Sequence, residues 1–250
     1  MYRISAVQFM SAREPEENMD KAERFIKDES KSSDLIIFPE QFIGGLFEEG
    51  AAKKTVSRFA ALAKRYHTDI VPGSILAKRG ARTYNTSYYI DSKGRVLSRY
   101  DKSTPWKSEK IAKGRGPRPF DTRFGRAAIL ICWDMANPSI AATLSRSDLD
   151  LIICPSMWWE GTEAKAGTRF AGEFIDSLCL ARAYECRAAV AYANAAGTIR
   201  THDLIDLSAG RTQITMPFYG AMAKAETREE QVVSQNIDPK LLKKVKSYLR

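Results

Sequence analysis

Apolar positions along the chain fall into short runs that alternate with helical stripes. Residues 4–8 read as a short buried strand, and residues 16–31 then carry Met19, Ala22, Phe25 and Ile26 at helical spacing. An apolar burst over 34–38 stops at Pro39, and 51–66 forms a second amphipathic helix. Residues 70–76 and 86–90 predict strands, the latter leading into Asp91-Ser-Lys-Gly94, a hairpin turn, with 96–100 as the return strand. The pattern then restarts. A strand over 127–132, a helix over 138–145 and a strand over 149–154 precede a helix over 172–187, with Phe174, Leu178, Ala181 and Glu185 on adjoining turns. A strand over 188–193 follows, then strand-like runs near Leu204, Thr215 and Val232.

Strand–helix alternation with appended hairpins predicts an α/β fold of two sheets, each covered by helices on its outer face. Two words suggest related halves: Asp34-Leu-Ile-Ile-Phe-Pro-Glu40 and Asp150-Leu-Ile-Ile-Cys-Pro-Ser156 agree at five of seven positions. Nothing reads as a linker, so residues 1–250 are expected to form a single domain. In such architectures reactive groups gather beyond the carboxyl ends of strands. Three residues stand at or just past a predicted strand end: Glu40, Lys102 and Cys132.

Composition narrows the class. With 250 residues, 44% hydrophobic and 28% charged, the chain can build a large core without a disulfide or metal staple. No apolar run approaches the ~20 residues that span a bilayer. The N-terminus shows no charged-then-apolar leader, and the four cysteines, at 132, 154, 179 and 186, form no CxxC pair. The expectation is a cytoplasmic protein with reduced thiols and no structural zinc. The formal net charge of +9 raises nucleic acid or another anionic partner. Most basic residues, however, are interleaved with acids, and only two stretches are locally basic: Lys113, Arg115, Arg118, Arg123 and Arg126, and residues 240–250. A solvated surface is the simpler reading, and no aromatic-rich nucleic-acid motif accompanies them.

Each candidate residue has a bland reading. Cys132 closes the run Ala-Ala-Ile-Leu-Ile-Cys, where a buried cysteine serves as a small hydrophobe or as a nucleophile. Glu40 follows Pro39, as a solvated loop residue or as a general base at a pocket rim, where burial would raise its pKa. Lys102 is one lysine among many, or a fixed charge for an oxyanion. Trp106, Trp133, Trp158 and Trp159 fall near strand ends, where they pack in the core or line a pocket for an apolar or planar substrate.

Taken together with the words around them, these residues resemble the nitrilase superfamily of carbon–nitrogen hydrolases. The resemblance runs from first strand to last: Asn18, Ile37-Phe38-Pro39-Glu40, Pro72-Gly73-Ser74, Tyr84-Asn85-Thr86, Arg99-Tyr100-Asp101-Lys102, Ile131-Cys132-Trp133-Asp134, Ile153-Cys154-Pro155-Ser156, Arg182-Ala183-Tyr184-Glu185 and Ala193-Asn194-Ala195-Ala196-Gly197. It implies an α-β-β-α sandwich of two mixed sheets flanked by helices. It also implies a Cys132 nucleophile, a Glu40 general base, and an oxyanion held by Lys102 and the backbone N–H of Trp133. Glu109 is the best match to a second active-site carboxylate, although its spacing after Pro-Trp is about one residue short of many relatives. Glu185 looks structural. Ala136-Asn137-Pro138 stands where many relatives carry Arg-Phe-Pro, so recognition of a substrate carboxylate does not carry over.

The implied activity is thiol-dependent hydrolysis of a small amide or carbamoyl compound, without cofactor or metal, in a homodimer or larger assembly. Three alternatives stand beside it. One is a nitrilase acting on C≡N with the same residues, although that branch usually has a longer C-terminal extension than a chain ending at Arg250. Another is a Cys–His hydrolase using His67 or His202. The last is a catalytically silent basic binding protein that uses residues 113–126.

Overall fold

Alternate side chains of the central strands decide the layering. The structure, a computed structural model, describes residues 1–161, 170–200 and 205–248. The first sheet contains β1 (Tyr2–Gln8), β2 (Leu35–Ile37), β3 (Leu46–Glu48), β4 (Asp69–Val71), β5 (Ser74–Arg79), β6 (Arg82–Ile90) and β7 (Val96–Asp101). The second contains β8 (Phe120–Thr122), β9 (Gly125–Ile129), β10 (Leu151–Pro155) and β11 (Ala189–Ala193). A two-stranded ribbon, β12 (Thr198–Arg200) with β13 (Ile205–Leu207), precedes β14 (Gln213–Met216) and β15 (Gly220–Lys224), which extend the second sheet. Last comes β16 (Gln231–Ile237), which returns to pair antiparallel with β1. The orders are β16-β1-β2-β4-β6-β5-β3, with β7 beside β6, and β15-β14-β11-β10-β9-β8.

Alternate residues of the central strands point between the sheets. Leu35 and Ile37 of β2 share a cluster with Leu151 and Ile153 of β10, Ala127 and Ile129 of β9, and Ala189, Ala191 and Ala193 of β11. Their sequence neighbours face outward. Ile36 and Phe38 pack with Met19, Ala22 and Ile26 of α1 (Pro15–Glu29) and with Val56, Phe59 and Leu62 of α2 (Glu49–Tyr66). On the other side Ile152 and Cys154 meet Ile140 and Leu144 of α3 (Pro138–Leu144), and Ile175, Leu178 and Cys179 of α4 (Phe170–Cys186). Both faces of these strands are covered, which is why they read as continuous apolar runs rather than alternating ones. The α-β-β-α sandwich expected from the sequence is what the chain forms.

Local differences from the sequence reading have simple causes. The strand expected over 70–76 is two strands, β4 and β5, broken at Pro72-Gly73. Gly73 has φ +61, and a Cβ there would lie 1.8 Å from the Pro39 carbonyl oxygen, so only glycine lets the two strand ends approach. The strand expected over 127–132 is β9, which stops at Ile129; Cys132 instead opens a short 3-10 turn, Cys132–Ala136. The short strands β3, β8 and β12 carry too few apolar residues to be read from periodicity. The strand-like run near Leu204 reaches residues outside those described, and β13 begins directly after it. Of the two basic stretches, Lys113, Arg115, Arg118, Arg123 and Arg126 are all exposed, and Arg123 also pairs with the buried Asp69. The second stretch forms α5 (Pro239–Tyr248), where Lys246 is buried and bound to Asp150 and Asp148. No described helix is long and apolar enough to cross a membrane.

Candidate active site

Glu40 leaves β2 through Pro39 and is held from four sides. Its own N–H donates to the Ser156 carbonyl at the end of β10 (3.2 Å), and the next N–H, of Gln41, to the Ser74 carbonyl (3.1 Å). Asn18 in α1 donates to the Ile43 carbonyl, fixing the loop beyond, and Gly73 allows the β4–β5 corner to close against Pro39. The carboxylate is 2% exposed. Its Oε1 accepts from Asn85 Nδ2 (2.7 Å) and from Lys102 Nζ (2.9 Å), and its Oε2 accepts from the Met157 N–H (3.0 Å). Three donors fix the carboxylate plane.

Lys102 follows β7. Its N–H donates to the Asn85 carbonyl, and its carbonyl accepts from the Gly114 N–H, both at 2.8 Å. Gly114 sits so close that a Cβ there would fall 2.0 Å from the Asp101 carbonyl oxygen. At 1% exposure Lys102 Nζ lies 2.8 Å from Glu109 Oε2 as well as 2.9 Å from Glu40. Glu109 Oε2 also accepts from the Trp106 N–H (2.6 Å), which closes the turn after Pro105. The structure therefore brings Glu40, Lys102 and Glu109 into one buried chain of charge-assisted contacts. The short spacing of Glu109 does not prevent it from arriving.

Cys132, 7% exposed, stands at the head of its turn with φ +49, a left-handed conformation costly for a residue with a side chain. Such strain is tolerated only where neighbouring contacts enforce it. Burial first, then the charge of Glu40, pushes the thiol above its ordinary range; Lys102 acts the other way, and Glu109 adds to the rise. Burial alone would lower Lys102, but Glu40, the cysteine and Glu109 hold it above the usual lysine value. Glu109 is raised by burial and by Glu40, against the pull of Lys102. Burial thus disfavours the thiolate, while the neighbouring acidic groups favour the charged lysine.

Around the thiol the four tryptophans touch in series. Trp133 meets Trp106 at 4.4 Å between ring centroids and Trp158 at 5.1 Å; Trp106 meets Trp159 at 6.3 Å, and Phe174 of α4 packs on both Trp133 and Trp158. All four tryptophans are half-buried, and Trp158 also packs against the layer between the sheets and the layer under α3 and α4. Glu185 behaves as expected of a structural residue: it pairs with Arg182, whose Nε donates to the Met135 carbonyl behind the turn.

Two residues carry roles that the sequence reading quoted within motifs but did not assign. Asn85 orients Glu40, and buried Asp134 links the Cys132 turn to the segment after Lys102. Their signal was proximity to the reactive residues within the same short words. His67 is exposed at the left-handed C-terminus of α2, and His202 lies outside the described residues. Among the described residues no group of three or more His, Cys, Asp or Glu side chains is placed to hold a metal ion.

Comparison with known proteins gives the family and the fold. A profile of the carbon-nitrogen hydrolase family matches residues 3–247. The chain is 26% identical to 2-oxoglutaramate amidase of Bacillus subtilis, over 95% of this chain and 91% of that protein. It is also 26% identical to omega-amidase NIT2 of Xenopus tropicalis, over 99% and 92%. Its fold matches the crystal structure of Saccharomyces cerevisiae Nit3 with a TM-score of 0.82 at 21% identity, covering 99% of this chain and 94% of that one. It also matches a mutant of the amidase from Nesterenkonia sp. AN1 with the acetamide moiety of fluoroacetamide added covalently at its active site cysteine. There the TM-score is 0.79 at 19% identity, over 99% and 92%. At these identities the structural matches speak for the fold alone.

Proposed function

Because the chain belongs to the carbon–nitrogen hydrolase family, we propose that it hydrolyses a small amide or carbamoyl compound through a thioester on Cys132. The observation that carries this reading is the Glu40–Lys102–Glu109 chain beside a strained, buried thiol. A protonated thiol attacks slowly, so a base within reach is required. Glu40 takes the thiol proton as Sγ bonds to the amide carbon. Lys102 Nζ and the Trp133 N–H receive the oxyanion of the tetrahedral adduct. Glu40 returns the proton to the departing nitrogen, the C–N bond breaks, and ammonia or amine leaves the thioester. Water then gives a proton to Glu40 and attacks the acyl carbon; the C–S bond breaks, and the thiolate recovers its proton as the acid departs.

Glu109 positions Lys102 and the incoming amide in this scheme. Its second oxygen is left for the substrate's N–H. The tryptophan wall suits an apolar or planar acyl group. Support for amides over nitriles comes from two relatives matched over 95% and 99% of this chain, both named as amidases. A nitrile substrate remains the alternative, since a probable nitrilase of Schizosaccharomyces pombe is 26% identical over 85% of this chain and 78% of that protein. The homodimer or larger assembly expected from the family is part of the same reading, as is a cytoplasmic, reducing setting for its four free cysteines.

Ammonia release from a panel of amides, carbamoyl compounds and nitriles, with Cys132→Ala as the control, tests the proposal. Cys132-dependent release from amides or carbamoyl compounds is expected. Release from nitriles alone would replace the substrate class, and Cys132-independent release would remove the nucleophile. No turnover of any compound, together with salt-sensitive binding of polyanions, would favour the basic binding protein.

A further inference from the structure

The turn that presents Cys132 is closed by one residue from both directions. Asp134 N–H donates to the Ile131 carbonyl (3.1 Å), and the Ile131 N–H donates back to Asp134 Oδ2 (3.0 Å). The same oxygen accepts from the Tyr100 hydroxyl (2.7 Å), two residues before Lys102. The other oxygen, Oδ1, accepts from the Thr104 N–H (2.7 Å) and the Ser103 hydroxyl (3.2 Å), directly after Lys102. Asp134 is fully buried. Its carboxylate thus grips the residue before the nucleophile and the residues on both sides of the lysine.

We infer that Asp134 is a positioning residue whose two carboxylate oxygens fix Cys132 relative to Lys102. The inference rests on the roles proposed above for those two residues. The geometry calls for an acceptor at both oxygens. Each carboxylate oxygen faces a backbone N–H, one from Ile131 and one from Thr104, and a backbone N–H cannot accept. An asparagine has one oxygen and one NH2. Whichever way it is turned, the NH2 confronts an N–H, so one grip is lost and a buried donor is left unpaired. Either the Cys132 turn or the segment after Lys102 must then relax, and a shift of about 1 Å in such a constellation lowers the rate about 100-fold.

The test uses the full chain carrying Asp134→Asn, Tyr100→Phe or both, with folded fraction followed by urea unfolding. Turnover is measured on the amide identified by the panel. Alkylation of Cys132 by iodoacetamide is measured by mass spectrometry across pH, because that readout needs no substrate. For folded Asp134→Asn the expectation is a kcat about 100-fold lower at a KM within about threefold, with a displaced alkylation profile. Tyr100→Phe removes one of four donors and should lower kcat about fivefold, the equivalent of one hydrogen bond. The double variant should fall short of the product of the two losses. A kcat loss equal to the unfolded fraction, or a folded Asp134→Asn with kcat and alkylation profile unchanged, would overturn the inference. Should Asp134→Asn not fold, an unchanged kcat and alkylation profile in folded Tyr100→Phe would overturn it. If activity proves independent of Cys132, the nucleophile reading fails on its own, and the alkylation profile still decides whether Asp134 sets that thiol's surroundings.

Discussion

Two stretches of this chain start alike and end differently. Residues 34–40 enter β2 and residues 150–156 enter β10, each as Asp-Leu-Ile-Ile, then a variable residue and proline. Asp34 exchanges hydrogen bonds with Arg3, its N–H to the Arg3 carbonyl and its Oδ2 from the Arg3 N–H, both at 2.9 Å. Asp150 repeats this with Arg126, at 2.7 and 2.9 Å. Each aspartate carbonyl then accepts from the next strand, from Asp69 N–H in one sheet and Ala189 N–H in the other. Both strands lie between parallel neighbours. At the far ends the equivalence stops. Glu40 receives three hydrogen bonds on its carboxylate, whereas Ser156 presents a short buried hydroxyl with no hydrogen-bond partner among the described residues. Matching strand starts build matching sheet centres, and one residue beyond each proline assigns the chemistry.

Exchanging chemistry at the two ends should separate them most sharply. Glu40→Gln keeps the shape and removes the base, so kcat is expected to fall about 1,000-fold, within the range for general-base loss. Ser156→Ala removes a buried hydroxyl that has no hydrogen-bond partner among the described residues, so kcat should change less than about twofold. Comparable losses in steady-state assays would show that the two ends share the chemistry.

The corner behind Glu40 offers the next largest effect. Gly73→Ala places a Cβ against the Pro39 carbonyl, a backbone atom that cannot rotate away. Displacing Pro39 moves Glu40, so a roughly 100-fold lower kcat is expected. Urea unfolding should register a loss of about 2–3 kcal/mol, as for a side chain forced into a left-handed, crowded site. Wild-type stability in Gly73→Ala would show that the corner is not rigid.

Glu109 tests the electrostatics. Burial and Glu40 raise its pKa, so as pH falls it protonates before an ordinary carboxylate, and the acid limb of kcat/KM should lie above the usual carboxylate range. Glu109→Gln mimics the protonated form. It should lower kcat/KM at neutral pH about tenfold and flatten that limb. A limb unmoved by the substitution would assign it to another group.

The smallest effects belong to the shared strand starts. Asp34→Asn and Asp150→Asn each weaken a charged hydrogen bond to a backbone N–H and should cost about 1–2 kcal/mol in urea unfolding, with kcat unchanged. The Asp150 variant should lose more, because Lys246 is buried against it at 2.7 Å. Loss of activity without loss of stability in either would contradict the division between scaffold and site.

Much of this was legible in the chain itself. Unbroken apolar runs such as 34–38 and 149–154, and helical stripes such as Met19, Ala22 and Ile26, required strands covered on both faces and helices laid over them. The words ending in Glu40, Lys102 and Cys132 marked three strand ends, because a reactive polar residue after an apolar run is a local feature. Other features were not local. Gly73 breaks an apparent strand because of Pro39, 34 positions away in the sequence. Cys132 leaves its strand early because Asp134, Tyr100 and Thr104 hold its turn in a left-handed conformation that periodicity does not encode. Asn85 and Glu109 become partners of the site only when β6 and the segment after β7 fold over β2. The sequence by itself determined which elements form and which faces they bury, since hydrophobic periodicity acts within a few residues. Which polar atoms meet, and therefore how the thiol, the lysine and the carboxylates ionise, was decided only by the tertiary structure, because burial and distance between groups far apart in the chain set those energies.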